Sequence, residues 1–459
     1  MVGQADGQRR HQALPAAAGW AGDIRTAAIH QWSDPLSRGG LALLVNTCLT
    51  GILGFAYWII AARLFSTYAV GVAGALVAAT TLFSGLGQLN LSGMLMRFLP
   101  GAGGKSRRLV LLTYAFTAST AAMLAAASLL GVKIFASPGS PLRLDAIQSI
   151  VFVLAVAATA IFTIQDSVLV GLRQAVWVPA ENGAFGVAKI GMLFMLAPLG
   201  TAFAIFSAWM VPLTLTIPVI SVILFFRFLP RAPAARRAAL LGRELRSRIL
   251  RFAIGDAAGG LFTQAWTYLL PVVITASLGA SINALYFISF LFSSTIDQVA
   301  ANYASPLTVE GARAPAEIPA LIRSTLKHIF AVICPFVVLL EAISPWLLHA
   351  FGDKYVGAAP LLGLLLAACL PKAISTVYYA YCRIQRTTHR SAFMQAYVCV
   401  ATLSTVLPLA HSFGLVGIGL ATVAVQASAG AVSWWALKRG IHDTAPGSGQ
   451  GRHRRPRSA

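Results

Sequence analysis

The chain has 459 residues, 57% of them hydrophobic and 11% charged, with 35 Lys and Arg against 14 Asp and Glu and a formal net charge of +21. A mean hydropathy of +0.74 means more apolar surface than a soluble fold buries, which excludes a soluble enzyme or binding module. No window alternates in the pattern of outer-membrane strands, whereas apolar runs of about 20 residues recur, so the fold class is all-α integral membrane.

Residues 1–38 read as a flexible cytoplasmic tail. QRRHQALPAAAGWAGD is too polar after its arginines for a secretory signal, so the first apolar run serves as the insertion signal. Spans are predicted at 39–62, 70–92, 109–130, 147–170, 183–201 and 203–226. A basic stretch, RFLPRAPAARRAALLGRELRSRILR at 227–251, separates them from spans at 252–276, 281–303, 328–349, 358–381, 392–412 and 414–437. A second basic tail occupies 438–459. The chain thus divides into an N-lobe at 39–226 and a C-lobe at 252–437, each of six helices, the arrangement of transporters built from two repeats. YWIIAARLFSTYAVGVAGALV from Tyr57 and YLLPVVITASLGASINALYFI from Tyr268 show weak internal similarity in keeping with this.

Charge tests the count independently. With a cytoplasmic N-terminus, inside segments hold 29 of the 35 Lys and Arg, and outside loops hold 4: Arg63, Lys133, Arg143 and Lys354. That asymmetry follows the positive-inside rule and places both termini in the cytoplasm. Orientation and attraction to anionic lipid account for the basic runs, including RHRRPRS at 452–458. No stacking aromatics are interleaved with them, so no nucleic-acid partner is expected.

Cys48, Cys334, Cys369, Cys382 and Cys399 fall within or at the ends of spans without metal-binding spacing, and read as packing residues. GAGGKS at 101–106 ends like a phosphate loop, but Leu99 stands where the first glycine is needed. No metal, cofactor or ATPase activity is expected.

Two cations, Lys189 and Lys372, fall inside predicted spans. From the cytoplasmic ends, Asp166, Lys189, Asp256 and Asp297 lie within roughly 10 Å of the inner surface, and Glu341 and Lys372 roughly 15 to 20 Å deep. Lys189 can snorkel. Asp166 reads as a cap or surface pair. Asp256 and Asp297 fit either packing or cation coupling. Glu341 and Lys372, on consecutive helices at similar depth, are placed where they could touch, either as a structural pair or facing the cavity.

ARLFSTYAVGVAGALVAATTLFSGLGQLNLSGMLMRFLP (62–100) and FGDKYVGAAPLLGLLLAACLP (351–371) resemble stretches of the bacterial polysaccharide flippases of the multidrug/oligosaccharidyl-lipid/polysaccharide exporter superfamily. The resemblance covers residues 39–437 and implies two six-helix lobes in an inverted V. It implies an alternating-access carrier in the bacterial plasma membrane that turns polyprenyl-diphosphate-linked oligosaccharide to the outer leaflet, working beside polysaccharide polymerase and export machinery. On that reading Lys372 and Lys189 are candidate substrate-binding residues, and Glu341, Asp256 and Asp297 candidate ion- or proton-coupling residues. Peptidoglycan-precursor flippases and cation-coupled multidrug exporters share the layout, and a drug exporter is expected to carry acidic groups alone in its cavity. A multispanning glycosyltransferase or ligase is the alternative of another class. Such an enzyme needs acids or a metal beside a long outer loop, and the outer loops here are short; enzymatic activity is not expected.

Overall fold

The computed structural model describes residues 35–89, 91–229 and 243–443; the side chains of 35–40, 97–98, 243–258, 309, 315 and 440–443 lie outside the description. Helix follows helix, with no strand among the described residues. In the N-lobe, α1 (Pro35–Leu64) turns into α2 (Thr67–Gln88), where Ser66 Oγ accepts the Ala69 N–H at 3.1 Å and so caps the new helix. A short α3 (Leu91–Phe98) precedes α4 (Ser106–Phe135) and α5 (Ala146–Gly171), which opens on a reciprocal capping box of Asp145 and Gln148. Helices α6 (Trp177–Leu196) and α7 (Ala202–Ile223) complete the lobe.

The C-lobe begins with α8 (Arg243–Ser277), α9 (Ala280–Arg313) and α10 (Ile318–Ala342). Two short helices, α11 (Ser344–Phe351) and α12 (Asp353–Val356), cross its outer end before α13 (Ala359–Ile384) and α14 (Thr388–Asp443). At 56 residues α14 is too long for one crossing; it breaks at Gly414, whose φ of 61° and ψ of −139° suit only a residue without Cβ. Ten described helices are long and apolar enough to span a membrane, α14 among them. The break gives α14 two passes, and α8 carries the predicted span 252–276. The architecture is therefore the predicted two-lobed all-α bundle.

The ninth predicted span moves at both ends. It was expected at 328–349, but α10 runs from 318 to 342, because the apolar segment SPWLLHAF forms the separate helix α11. Hydropathy alone joins two adjacent apolar pieces; the break at Ile343 divides them.

The lobes are clamped at the end away from the arginine-rich connections. Gly71 lets α2 approach α9 so closely that a Cβ there would collide with the Ala280 carbonyl. Asn283 Nδ2 donates to the Gly71 carbonyl at 2.8 Å, and Arg63 donates to the carbonyls of Ala350 (2.9 Å) and His349 (2.7 Å) on α11. Trp58 packs edge-on to Phe287 at 4.7 Å. One apolar core runs through this contact, joining Val70 and Ala73 of α2 to Ala284 and Ile288 of α9.

Candidate transport cavity and buried charges

Between the lobes, toward the end where α13 turns into α14, lies a cavity of about 430 Å³. The N-lobe lines it with Thr81, Ser84, Gln88 and Ser92 from the α2–α3 region and Thr159 and Thr163 from α5. The C-lobe supplies Gln264, Arg383, Thr388, Ser391 and Gln395. Among the described residues of the lining, Arg383 is the one ionisable side chain. Several hydroxyls donate to carbonyls of their own helix, Thr81 to Val77 at 2.9 Å and Thr163 to Thr159 at 3.0 Å, which leaves oxygen lone pairs for a guest. Thr263 and Ser92 orient two of the amides, donating to Gln395 (2.6 Å) and Gln88 (3.0 Å). The described walls offer dispersed donors and acceptors, suited to a hydroxyl-rich guest.

A second recess, of about 390 Å³, sits where Phe55 and Ile59 of α1 meet Phe292 and Ile296 of α9, Phe336 of α10 and Phe351 of α11. Its walls are carbon throughout. It crosses the lobe boundary.

The predicted site residues separate. Lys372 does not meet Glu341. Its Nζ donates to Asp297 Oδ2 at 2.5 Å and stands 4.7 Å from the Trp266 ring centre, inside the C-lobe. Asp297 sits deeper than predicted, because α9 continues ten residues past the expected span end, while Lys372 keeps its predicted depth. Asp297 is about 24 Å and Lys372 about 18 Å from their helices' C-terminal ends. Beside them, Ser293, Thr422 and Gln426 help enclose a cavity of about 20 Å³, enough for about one water. Glu341 lies one residue before the end of α10, exposed, with its carboxylate over Gly363. Gly363 is about 13 Å along α13 from Lys372. The shifted ninth span explains the misplacement. Asp256 lies outside the described side chains.

Lys189 does not snorkel. α6 starts at 177 rather than 183, which puts Lys189 about 18 Å into the helix. It is 4% exposed, with Nζ 3.6 Å from the Trp209 ring centre, 5.1 Å from Phe185 and 5.3 Å from Tyr57. No described carboxylate pairs with it, so cation–π attraction is its compensation. Neither lysine lines the inter-lobe cavity.

Asp166 is not a surface cap: it accepts from Asn182 Nδ2 at 3.3 Å and stands beside Glu181, a residue that sequence reasoning passed over. A fifth span that begins at 183 leaves Glu181 outside it, whereas α6 starts at 177. The cavity amides were missed too, although Gln88, Gln264 and Gln395 each stand out within apolar spans and were the available signal.

No family model matches this chain, and no curated protein matches it in sequence. The fold does have counterparts. An inward-facing multidrug resistance MATE family transporter of the MOP superfamily superposes with TM-score 0.60 and 16% identity over 88% of this chain and 96% of its own. An outward-facing form gives 0.61 and 15% over 90% and 97%. A MOP superfamily transporter from Pyrococcus furiosus, described as having a binding pocket of reverse polarity, gives 0.57 and 14% over 90% and 97%. The chain shares the fold of these transporters. Its likeness to the inward and outward forms is nearly equal.

Proposed function

We propose that this protein carries a lipid-linked oligosaccharide across a bacterial plasma membrane by alternating access, with both termini cytoplasmic. The observation that carries the proposal is the lining of the inter-lobe cavity: among the described residues, hydroxyl and amide groups from both lobes together with Arg383. Hydroxyls and amides exchange hydrogen bonds with sugar hydroxyls in either direction, and a guanidinium pairs with phosphate oxygens. The carbon-walled recess at Phe55 and Phe292 supports the same reading, since it offers a polyprenyl chain a place at the lobe boundary. With the Gly71–Asn283 end clamped, the cavity faces the arginine-rich end, the side on which the cargo is made.

The test is transport in proteoliposomes, offering polyprenyl-diphosphate oligosaccharides and a panel of cationic dyes. Movement of the lipid-linked sugar, reduced at least tenfold by Gln264→Ala with Gln395→Ala, is expected. Dye export without sugar movement overturns the proposal in favour of a multidrug exporter.

A further inference from the structure

Between the last turns of α4 and the first turns of α5, at the end away from the arginine-rich connections, lies a groove of about 380 Å³. Its chemistry changes along its length. Lys133 and Ser149 line it toward the helix ends, while Leu129, Val153 and Leu154 line it farther in. Ala126, about 10 Å along α4 from Lys133, is its innermost residue on that helix.

The mouth is basic. Arg143, in the loop joining the two helices, donates from Nη2 to the Lys133 carbonyl at 2.6 Å, which brings a second cation to the same rim and leaves most of the guanidinium donors over. The carbonyl end of α4 thus accounts for Arg143. It does not account for Lys133, which is exposed and takes part in none of the described ion pairs or side-chain hydrogen bonds. Asp145, the nearby acid, spends Oδ1 on the Gln148 N–H at 2.8 Å as the cap of α5. Ser149 Oγ reaches the Leu144 carbonyl at 3.5 Å, too far for a good bond, so its donor is available to a guest. Cations are sparse on this side: four of the 35 Lys and Arg are expected outside, and two of the four stand together over this groove.

From the rim inward the order is cation, hydroxyl, hydrocarbon, which is the order met along a phospholipid from phosphate through glycerol ester to acyl chain. We infer that the groove holds one anionic phospholipid of the adjoining leaflet, the outer one under the topology proposed above. Its phosphate lies between Lys133 and Arg143, where ammonium and guanidinium donate to it together. An ester oxygen accepts from Ser149, and an acyl chain runs along Leu129, Val153 and Leu154. A zwitterionic headgroup would bring its own ammonium to a rim that already carries two cations, so the anionic lipid is preferred. None of the groove's residues lines the inter-lobe cavity, and the inference does not depend on which cargo that cavity takes.

The test is photocrosslinking of the full-length protein in phosphatidylcholine nanodiscs that contain a trace of phosphatidylglycerol or phosphatidylcholine with a photoreactive acyl chain, the labelled peptides being mapped by mass spectrometry. Residues 126–133 and 149–154 are expected to take the phosphatidylglycerol label in about tenfold preference, while the exposed surface at Leu215 on α7 takes both labels alike. Lys133→Gln is expected to reduce the preference severalfold, and Lys133→Gln with Arg143→Gln to abolish it. Ala126→Leu, which fills the inner groove and keeps both charges, is expected to lower groove labelling severalfold without change at Leu215. Lys133→Gln and Ala126→Leu are expected to unfold at the parent temperature, which separates loss of lipid from loss of fold. Equal labelling of the groove by the two probes, or a preference that survives the double variant, marks ordinary surrounding lipid and overturns the inference. Displacement of the phosphatidylglycerol label by equimolar polyprenyl phosphate overturns it in favour of a cargo groove. Absence of either label from the groove while Leu215 is labelled overturns it in favour of a face covered by a second copy of the chain.

Discussion

The two lobes handle buried charge in opposite ways. In the C-lobe, Lys372 and Asp297 meet at 2.5 Å near the middle of their helices, each about a fifth exposed. In the N-lobe the cation and the carboxylates are kept apart: Lys189 sits among Tyr57, Phe185 and Trp209, while Asp166 and Glu181 are neighbours nearer the arginine-rich end. A pair neutralised internally has nothing left to offer a ligand and serves chiefly to join two helices. Charges held apart keep their capacity to bind. The difference teaches that an intramembrane charge is diagnostic of function only once its partner is known.

The largest effect separating the lobes is expected on breaking the pair. Lys372→Met or Asp297→Asn leaves an uncompensated charge in the bundle, costing about 3 kcal/mol, the lower end of the range for such losses because the pair is partly exposed. The double change removes both charges and is expected to recover most of that loss. Unfolding of the three purified variants in detergent measures this. If the double variant is as unstable as the singles, the pair is not the self-contained unit that the contrast requires.

A smaller difference is expected in how strongly each lysine couples to its tryptophan. Lys189 has only ring faces around it, so a double-mutant cycle with Trp209→Leu should give a coupling of about 2 kcal/mol. Lys372 has its carboxylate as well as the Trp266 ring at 4.7 Å, so the corresponding cycle should give no more than about 0.5 to 1 kcal/mol. Equal couplings would erase the distinction between a caged and a paired cation.

Helices and lobes were legible because long apolar runs and the arginine asymmetry each encode topology locally. What stayed hidden depends on distance or on a boundary. Lys372 and Asp297 are 75 residues apart, and adjacency in the chain favoured Glu341 instead. Glu181 vanished into a loop when α6 was started six residues late, although the WVPAENG stretch that opens the helix holds a proline suited to a first turn. The aromatic cage of Lys189 draws Tyr57 from α1, Phe185 from α6 and Trp209 from α7, and no local pattern announces such a meeting. Gly414 is the converse case: the predicted join between the eleventh and twelfth spans falls on the residue where α14 breaks.

The smallest expected effect is also the one whose sign matters most. Lys189→Met keeps the length and the apolar stem of the side chain and removes only the ammonium. Two terms then oppose each other. Losing a desolvated cation–π interaction costs about 2 kcal/mol. Removing a buried charge that has no counter-ion recovers a desolvation penalty of several kcal/mol, and the freed volume is filled by a thioether that packs well against rings. The second term wins, so Lys189→Met is expected to stabilise the protein by about 1 kcal/mol, raising its unfolding temperature in detergent, where Lys372→Met lowers it. Opposite signs for the same substitution in the two lobes are what the contrast between a caged and a paired lysine demands. A Lys189→Met variant destabilised as much as Lys372→Met would mean that Lys189 has an anionic partner after all, and the N-lobe would then store its charge no differently from the C-lobe.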